Sequence, residues 1–120
     1  MSESRRRAPE AERASAILDR LAARSPDLID AAIFDADGVQ IASSDGTDWT
    51  DGAQELWAAA DGDEPGAGTQ VHVGTEDGEV FAVRDGAASI VSTSRRFALA
   101  SLMLTDLRTA LRDFERGGDA

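Results

Sequence analysis

The 120-residue chain contains no cysteine, lysine, asparagine or tyrosine, and His72 is its one histidine. Each absence removes a chemistry. Without thiols there is no disulfide framework, no cysteine nucleophile and no thiolate metal site. Without lysine there is no Schiff base and no G-x-x-x-x-G-K-[ST] loop, whose ammonium must reach the phosphates. A single histidine leaves no multi-histidine metal centre. No apolar run approaches the ~20 residues needed to cross a bilayer. Arg5, Arg6 and Arg7 are followed by Pro9, Glu10 and Glu12 rather than by the apolar stretch of a signal peptide. The expectation is therefore a cytoplasmic protein with no membrane insertion, no metal and no cofactor. The missing residue types have AT-rich codons, whereas alanine occurs 22 times, which points to a high-GC bacterial genome.

Arginine supplies all 12 basic side chains against 23 acids, for a net charge of -11. The distribution is uneven. Residues 1 to 24 hold six arginines and four acids, residues 25 to 83 hold fourteen acids and no basic residue, and residues 84 to 120 hold six arginines and five acids. A uniformly acidic middle repels polyanions, so nucleic acid is excluded as a partner. It suits a partner with a basic surface.

At 42% hydrophobic and 29% charged residues the composition is globular, and the length is that of one domain. Residues 1–9 are polar and aperiodic and read as a flexible tail, residues 10–116 as the domain, and residues 117–120 as a flexible C-terminus. From Ala11, the spacing of Ala14, Ile17, Leu18 and Leu21 predicts an amphipathic helix that Ser25-Pro26 ends. Ile29 to Phe34 and Val39 to Ser43 read as strands joined by Asp35-Ala36-Asp37-Gly38, a hairpin turn in which glycine accepts positive φ. Asp51 and Gln54 have capping-box spacing ahead of a short helix with the stripe Ala53, Leu56, Trp57 and Ala60. The run 61–68 is loop. Gln70 to Thr75, Glu79 to Arg84 and Ala87 to Thr93 form a meander across two Asp-Gly turns. Phe97, Ala100, Leu104, Leu107, Leu111 and Phe114, widened by Leu99, Leu102, Met103 and Ala110, predict the main core helix, ended by Gly117-Gly118. The order α-β-β-α-β-β-β-α specifies an α+β fold around a single five-stranded antiparallel sheet.

One motif invites a catalytic reading. Ala32 to Val39 has the form of a strand ending in D-x-D-G, the first motif of haloacid dehalogenase-type phosphatases, in which the first aspartate attacks phosphorus beside Mg²⁺. The rest of the chain supplies neither a parallel sheet nor a downstream lysine, so the phosphatase is a remote alternative and a hairpin turn the preferred one. Asp45, Asp48 and Asp51 lack the order and the closing bidentate glutamate of a Ca²⁺ loop. Gly66-x-Gly68 lacks the third glycine of a dinucleotide fingerprint, and a lone His72 in a strand assembles no nucleophile-base pair. The chain is expected not to be an enzyme.

The element order, the phrase Leu28 to Ser44, the phrase Glu79 to Gly86 and the leucine-rich last helix together resemble the Roadblock/dynein light chain family over about residues 10 to 115. The resemblance implies a non-catalytic regulator or scaffold that binds small Ras-like GTPases or related signalling partners. It also implies first and last helices on one face of the sheet, the second helix on the other, and a homodimer joined through the third strand and the second helices. Carried onto this chain, the interaction residues are Ala53, Leu56, Trp57 and Ala60 on the helix and Gln70, Val71, His72 and Val73 on the strand. A small-ligand sensory domain of profilin-like or PAS-like type is the alternative, since it too surrounds an antiparallel five-stranded sheet with helices.

Overall fold

Alternating apolar side chains let strands bury both faces at once when helices cover each, and this is what the chain builds. The computed structural model describes residues 2–64 and 69–118. Its elements are α1 (Ser2–Arg24), β1 (Leu28–Asp35), β2 (Gln40–Ser43), α2 (Thr50–Asp61), β3 (Gln70–Gly74), β4 (Glu79–Arg84), β5 (Ala88–Ser94) and α3 (Ala100–Gly118). The five strands form one antiparallel sheet in the order β2-β1-β5-β4-β3. The expected fold class and element order are those observed.

In the centre of the sheet, successive residues of β1 serve opposite cores. Ala31 and Ile33 pack with Phe81, Val83 and Ile90 beneath α1 and α3, which contribute Ile17, Leu18, Leu21, Leu107, Leu111 and Phe114. Ala32 and Phe34 pack with Ala82 and Val91 beneath Ala53 and Trp57 of α2. Each fully buried Phe, Leu or Ile contributes about 1.5–3 kcal/mol, so the α1/α3 side is the larger source of stability. Polar clamps fix the two helices to one another: the Ser25 hydroxyl donates to Asp106 Oδ2 at 2.6 Å, and Arg13 Nε donates to the Phe114 carbonyl at 3.2 Å with its guanidinium 4.8 Å above the Phe114 ring.

Three details depart from the sequence reading. Helix α1 reaches back across Pro9 to Ser2, taking in most of the segment expected as a tail. Glu, Arg and Ala there are good helix formers, and propagation from an established helix is cheap. The Asp51 capping box does not form: Trp49 is the N-cap without a side-chain hydrogen bond. Asp48 acts instead, taking the backbone N–H of Thr50 at 2.9 Å and its hydroxyl at 2.6 Å. Helix α3 begins at Ala100 and runs through Gly118, so Phe97 and Leu99 precede it, and neither they nor Leu102 in its first turn are core residues. They are exposed, with Phe97 in a turn at φ 65°.

Candidate interaction surface

Helix α2 lies across the strands rather than along them. At its start, the Trp49 backbone N–H donates to Gln40 Oε1 of β2 at 2.8 Å. At its end, Asp61 pairs with Arg84 of β4. Gln40 pairs with Phe34, and Arg84 with Ser89, so both attachments are at the end of the sheet where β1 stops and β5 starts. Between them Trp57 lies against the sheet at 9% exposure, its ring 4.3 Å beneath the Arg84 guanidinium. Ala53 is buried beside it, while Leu56 and Ala60 are half-buried along its flank. The indole N–H of Trp57 is buried without an acceptor among the described residues. Trp57 thus belongs first to the core beneath α2. Sequence reasoning missed Arg84 as its lid, although the parity of β4, with Phe81 and Val83 on the α1/α3 side, places Arg84 opposite them.

Strand β3 is an edge of the sheet. It pairs only with β4, Val71 opposite Ala82, His72 opposite Phe81 and Val73 opposite Val80. Val71 and Val73 face the α2 side, Val71 half-buried and Val73 41% exposed. Gln70 and His72 are exposed and point to the other face, where the His72 ring stacks on Phe81 at 4.3 Å and its Nε2 lies 2.9 Å from Glu79 Oε1. The strand has no proline and no lysine, the usual guards of an exposed edge. The half of the α2-side face farthest from the helix ends carries Val80 and Thr93, and with Ile29 they line a shallow, mainly apolar cleft of ≈ 210 Å³. The structure therefore brings Ala53, Leu56, Trp57, Ala60 and Val71 into one cluster, extended by Val73, and leaves Gln70 and His72 on the opposite face of the same edge.

The α2 side is acidic. Asp51, Glu55, Asp61, Asp63 and Glu64 belong to the helix and the residues after it, and Asp45 and Asp48 to the loop before it. Two loop carboxylates are held below their ordinary range by local donors: Asp48 by the Thr50 hydroxyl and backbone N–H, Asp45 by the backbone N–H and side chain of Thr47. Asp30 is raised, chiefly by its partial burial and then by the charge of Asp45, to which it hydrogen-bonds. Asp45 and Asp48 serve local turns, and no group of three or more His, Asp or Glu side chains able to hold a metal exists among the described residues.

The D-x-D-G segment is likewise a turn. Asp35 Oδ1 accepts the N–H groups of Asp37 at 2.9 Å and Val39 at 3.0 Å, its backbone exchanges bonds with Val39 and Gly38, and Gly38 has φ 82°. One oxygen of that carboxylate, Oδ1, closes the hairpin. The Gly66-x-Gly68 pair lies outside the described residues. No helix among the described residues is long and apolar enough to cross a membrane.

No protein-family model matches the sequence, and no curated protein matches it significantly. Solved structures do match. The Roadblock/LC7 domain from Streptomyces avermitilis superposes with a TM-score of 0.73 at 15% identity, over 88% of this chain and 98% of that one. Myxococcus xanthus MglB gives 0.69 at 15% identity, over 91% and 90%. LokiProfilin2, from its complex with rabbit actin, gives 0.61 at 13% identity, over 81% and 91%. The chain has the Roadblock/LC7 fold, whose architecture profilins share.

Proposed function

We propose that this chain, starting from its Roadblock/LC7 fold, is a non-catalytic regulator or scaffold that works as a homodimer and binds a small Ras-like GTPase or a related signalling partner. The observation that carries the reading is the open β3 edge beside an apolar flank, Leu56, Ala60, Val71 and Val73, on a fold shared with MglB. Pairing of two β3 strands about a two-fold axis would satisfy both edges and bring the two α2 flanks together. The joined face would be acidic, so a partner with a basic surface is steered to it, with charge setting on-rate and orientation.

Light scattering on the wild type and on Val73→Glu tests the dimer. Val73 is exposed in the protomer, so a glutamate there leaves folding intact and places like charges across the two-fold, giving monomer. Retention of the dimer in this variant would remove the β3 interface. For the partner, affinity should weaken severalfold between low and physiological ionic strength, and a salt-independent affinity would remove the electrostatic part. A ligand-sensing role of profilin-like or PAS-like type is less well supported, because the clefts beside α3 and beside the β3–β4 turn measure ≈ 200 and ≈ 210 Å³, below the ~300–1,000 Å³ of typical ligand pockets.

A further inference from the structure

The largest exposed apolar side chains do not belong to the α2 side. Phe97 is 85% exposed, Leu99 60% and Leu102 59%, all in the β5–α3 turn and the first turn of α3. Leu99 accepts the Met103 N–H at 3.0 Å, so it stands at the mouth of the helix, and Leu102, three residues on, shares its face. Arg95 and Arg96 precede them. The turn is anchored, since the Arg95 N–H donates to the Asp27 carbonyl at 2.9 Å and the Ala98 N–H to the Arg95 carbonyl at 3.3 Å. Neither arginine forms an ion pair among the described residues, and Arg96 lies 4.9 Å over the exposed Phe97 ring.

Phe97 is the telling residue. Its φ of 65° is a conformation that glycine adopts freely and a bulky side chain resists. The ring contributes no core packing in return. A phenylalanine that serves neither its backbone nor the core is accounted for by what it presents outward.

We propose that Arg95, Arg96, Phe97, Leu99 and Leu102 form a second docking surface, whose occupant is an acidic amphipathic segment of a partner protein. Three large apolar side chains need an apolar stripe, and two unpaired guanidiniums beside them need carboxylates, which their planar forks bind bidentately. An amphipathic segment with acids along one side supplies both. An anionic bilayer supplies them less well, because Asp27 adjoins the patch through the Arg95 N–H and the chain as a whole carries -11, and a broad lipid surface would meet these charges together. The patch belongs to the end of the sheet where β5 stops and α3 starts, away from both attachments of α2. Its occupant would not compete with one on the acidic side, so one protomer would hold two segments of opposite charge.

The test is a backbone amide NMR titration with a synthetic helical peptide carrying leucines on one face and glutamates on the other, against the same peptide with lysine for glutamate. Shifts centred on residues 95–102 with the glutamate peptide alone support the surface. Arg95→Ala combined with Arg96→Ala should weaken that binding at least tenfold. Phe97→Gly should do likewise while leaving thermal stability unchanged or raised, which separates binding from folding. Absence of shifts, equal shifts with the lysine peptide, or full binding by Phe97→Gly would overturn the proposal. Co-sedimentation of the wild type with phosphatidylserine–phosphatidylcholine vesicles, lost in Phe97→Gly, would overturn it in favour of a lipid surface.

Discussion

Trp57 decides between a core and an interface account of α2, and truncating it separates the two. The indole is 91% withdrawn from solvent within a single protomer, given its 9% exposure, and Arg84 covers it at 4.3 Å. An aromatic ring of this size buries roughly 200 Å², which at about 25 cal/mol per Å² amounts to about 5 kcal/mol of gross transfer energy. Alanine keeps part of that and leaves a cavity, and measured Trp→Ala costs in cores run about 3–5 kcal/mol. Loss of the cation–π contact at a partly buried site adds about 1 kcal/mol. Against the 5–15 kcal/mol typical of whole domains the resulting total of about 4–6 kcal/mol is a large fraction, and at about 4 °C per kcal/mol for a chain of this size the melting temperature should fall by about 16–24 °C. Urea unfolding of Trp57→Ala followed by circular dichroism, at a concentration where light scattering shows a single oligomeric state, measures it. If the variant kept its unfolding free energy within about 1 kcal/mol of wild type and merely dissociated, the ring would belong to the interface and the core assignment would be refuted. Trp57→Phe should cost much less than alanine, because it retains most of the area and removes an N–H that has no acceptor among the described residues.

Asp30 is raised in the folded state, so its ionised form is the disfavoured one and folding is opposed at neutral pH. Asp30→Asn should raise the melting temperature slightly at pH 7, and the gain should vanish as pH falls below the ordinary carboxylate value near 3.8, where the wild-type residue is protonated in both states. For Asp48 the sign is opposite: its depressed value contributes stability above 3.8 that is lost as pH falls through the folded value, so Asp48→Asn should narrow the acid sensitivity of melting curves recorded from pH 5 downward. Gly78→Ala should destabilise by about 1–3 kcal/mol, because an added Cβ would collide with the Ser94 carbonyl. Urea unfolding checks it, and an unchanged midpoint would show that the β3–β4 turn can shift away from β5.

Most of the fold was legible because it rests on short-range signals. β4 runs over Glu79–Arg84 as its alternation predicts, and the other strands differ from their predicted limits by a residue at one end or both. The Asp-Gly turns were read correctly as turns, although by two mechanisms. Gly38 and Gly86 use positive φ, whereas Gly78 sits where a strand carbonyl leaves no room for a side chain. The start of α3 was not legible, since spacing alone does not distinguish Phe97 in a turn from Phe97 on a helix. The position of Trp57 was ambiguous for a related reason: a narrow stripe fixes the apolar side of α2 but not whether the sheet or a second protomer receives it. The contact of Arg84 with Trp57 joins residues far apart in sequence. It needed the sheet order, with β5 inserted between β1 and β4, to become visible.

Both tryptophans of this tyrosine-free chain belong to α2, Trp49 as its N-cap and Trp57 beneath its second half. Indole emission is therefore an optical channel reserved for that helix and blind to α1 and α3. Displacement of α2, or withdrawal of the cation from the Trp57 ring, changes the light the molecule emits without any added dye. An event at the Phe97 patch that leaves α2 in place does not. The intrinsic spectrum can assign a binding event to one side of the sheet or the other before any residue is altered.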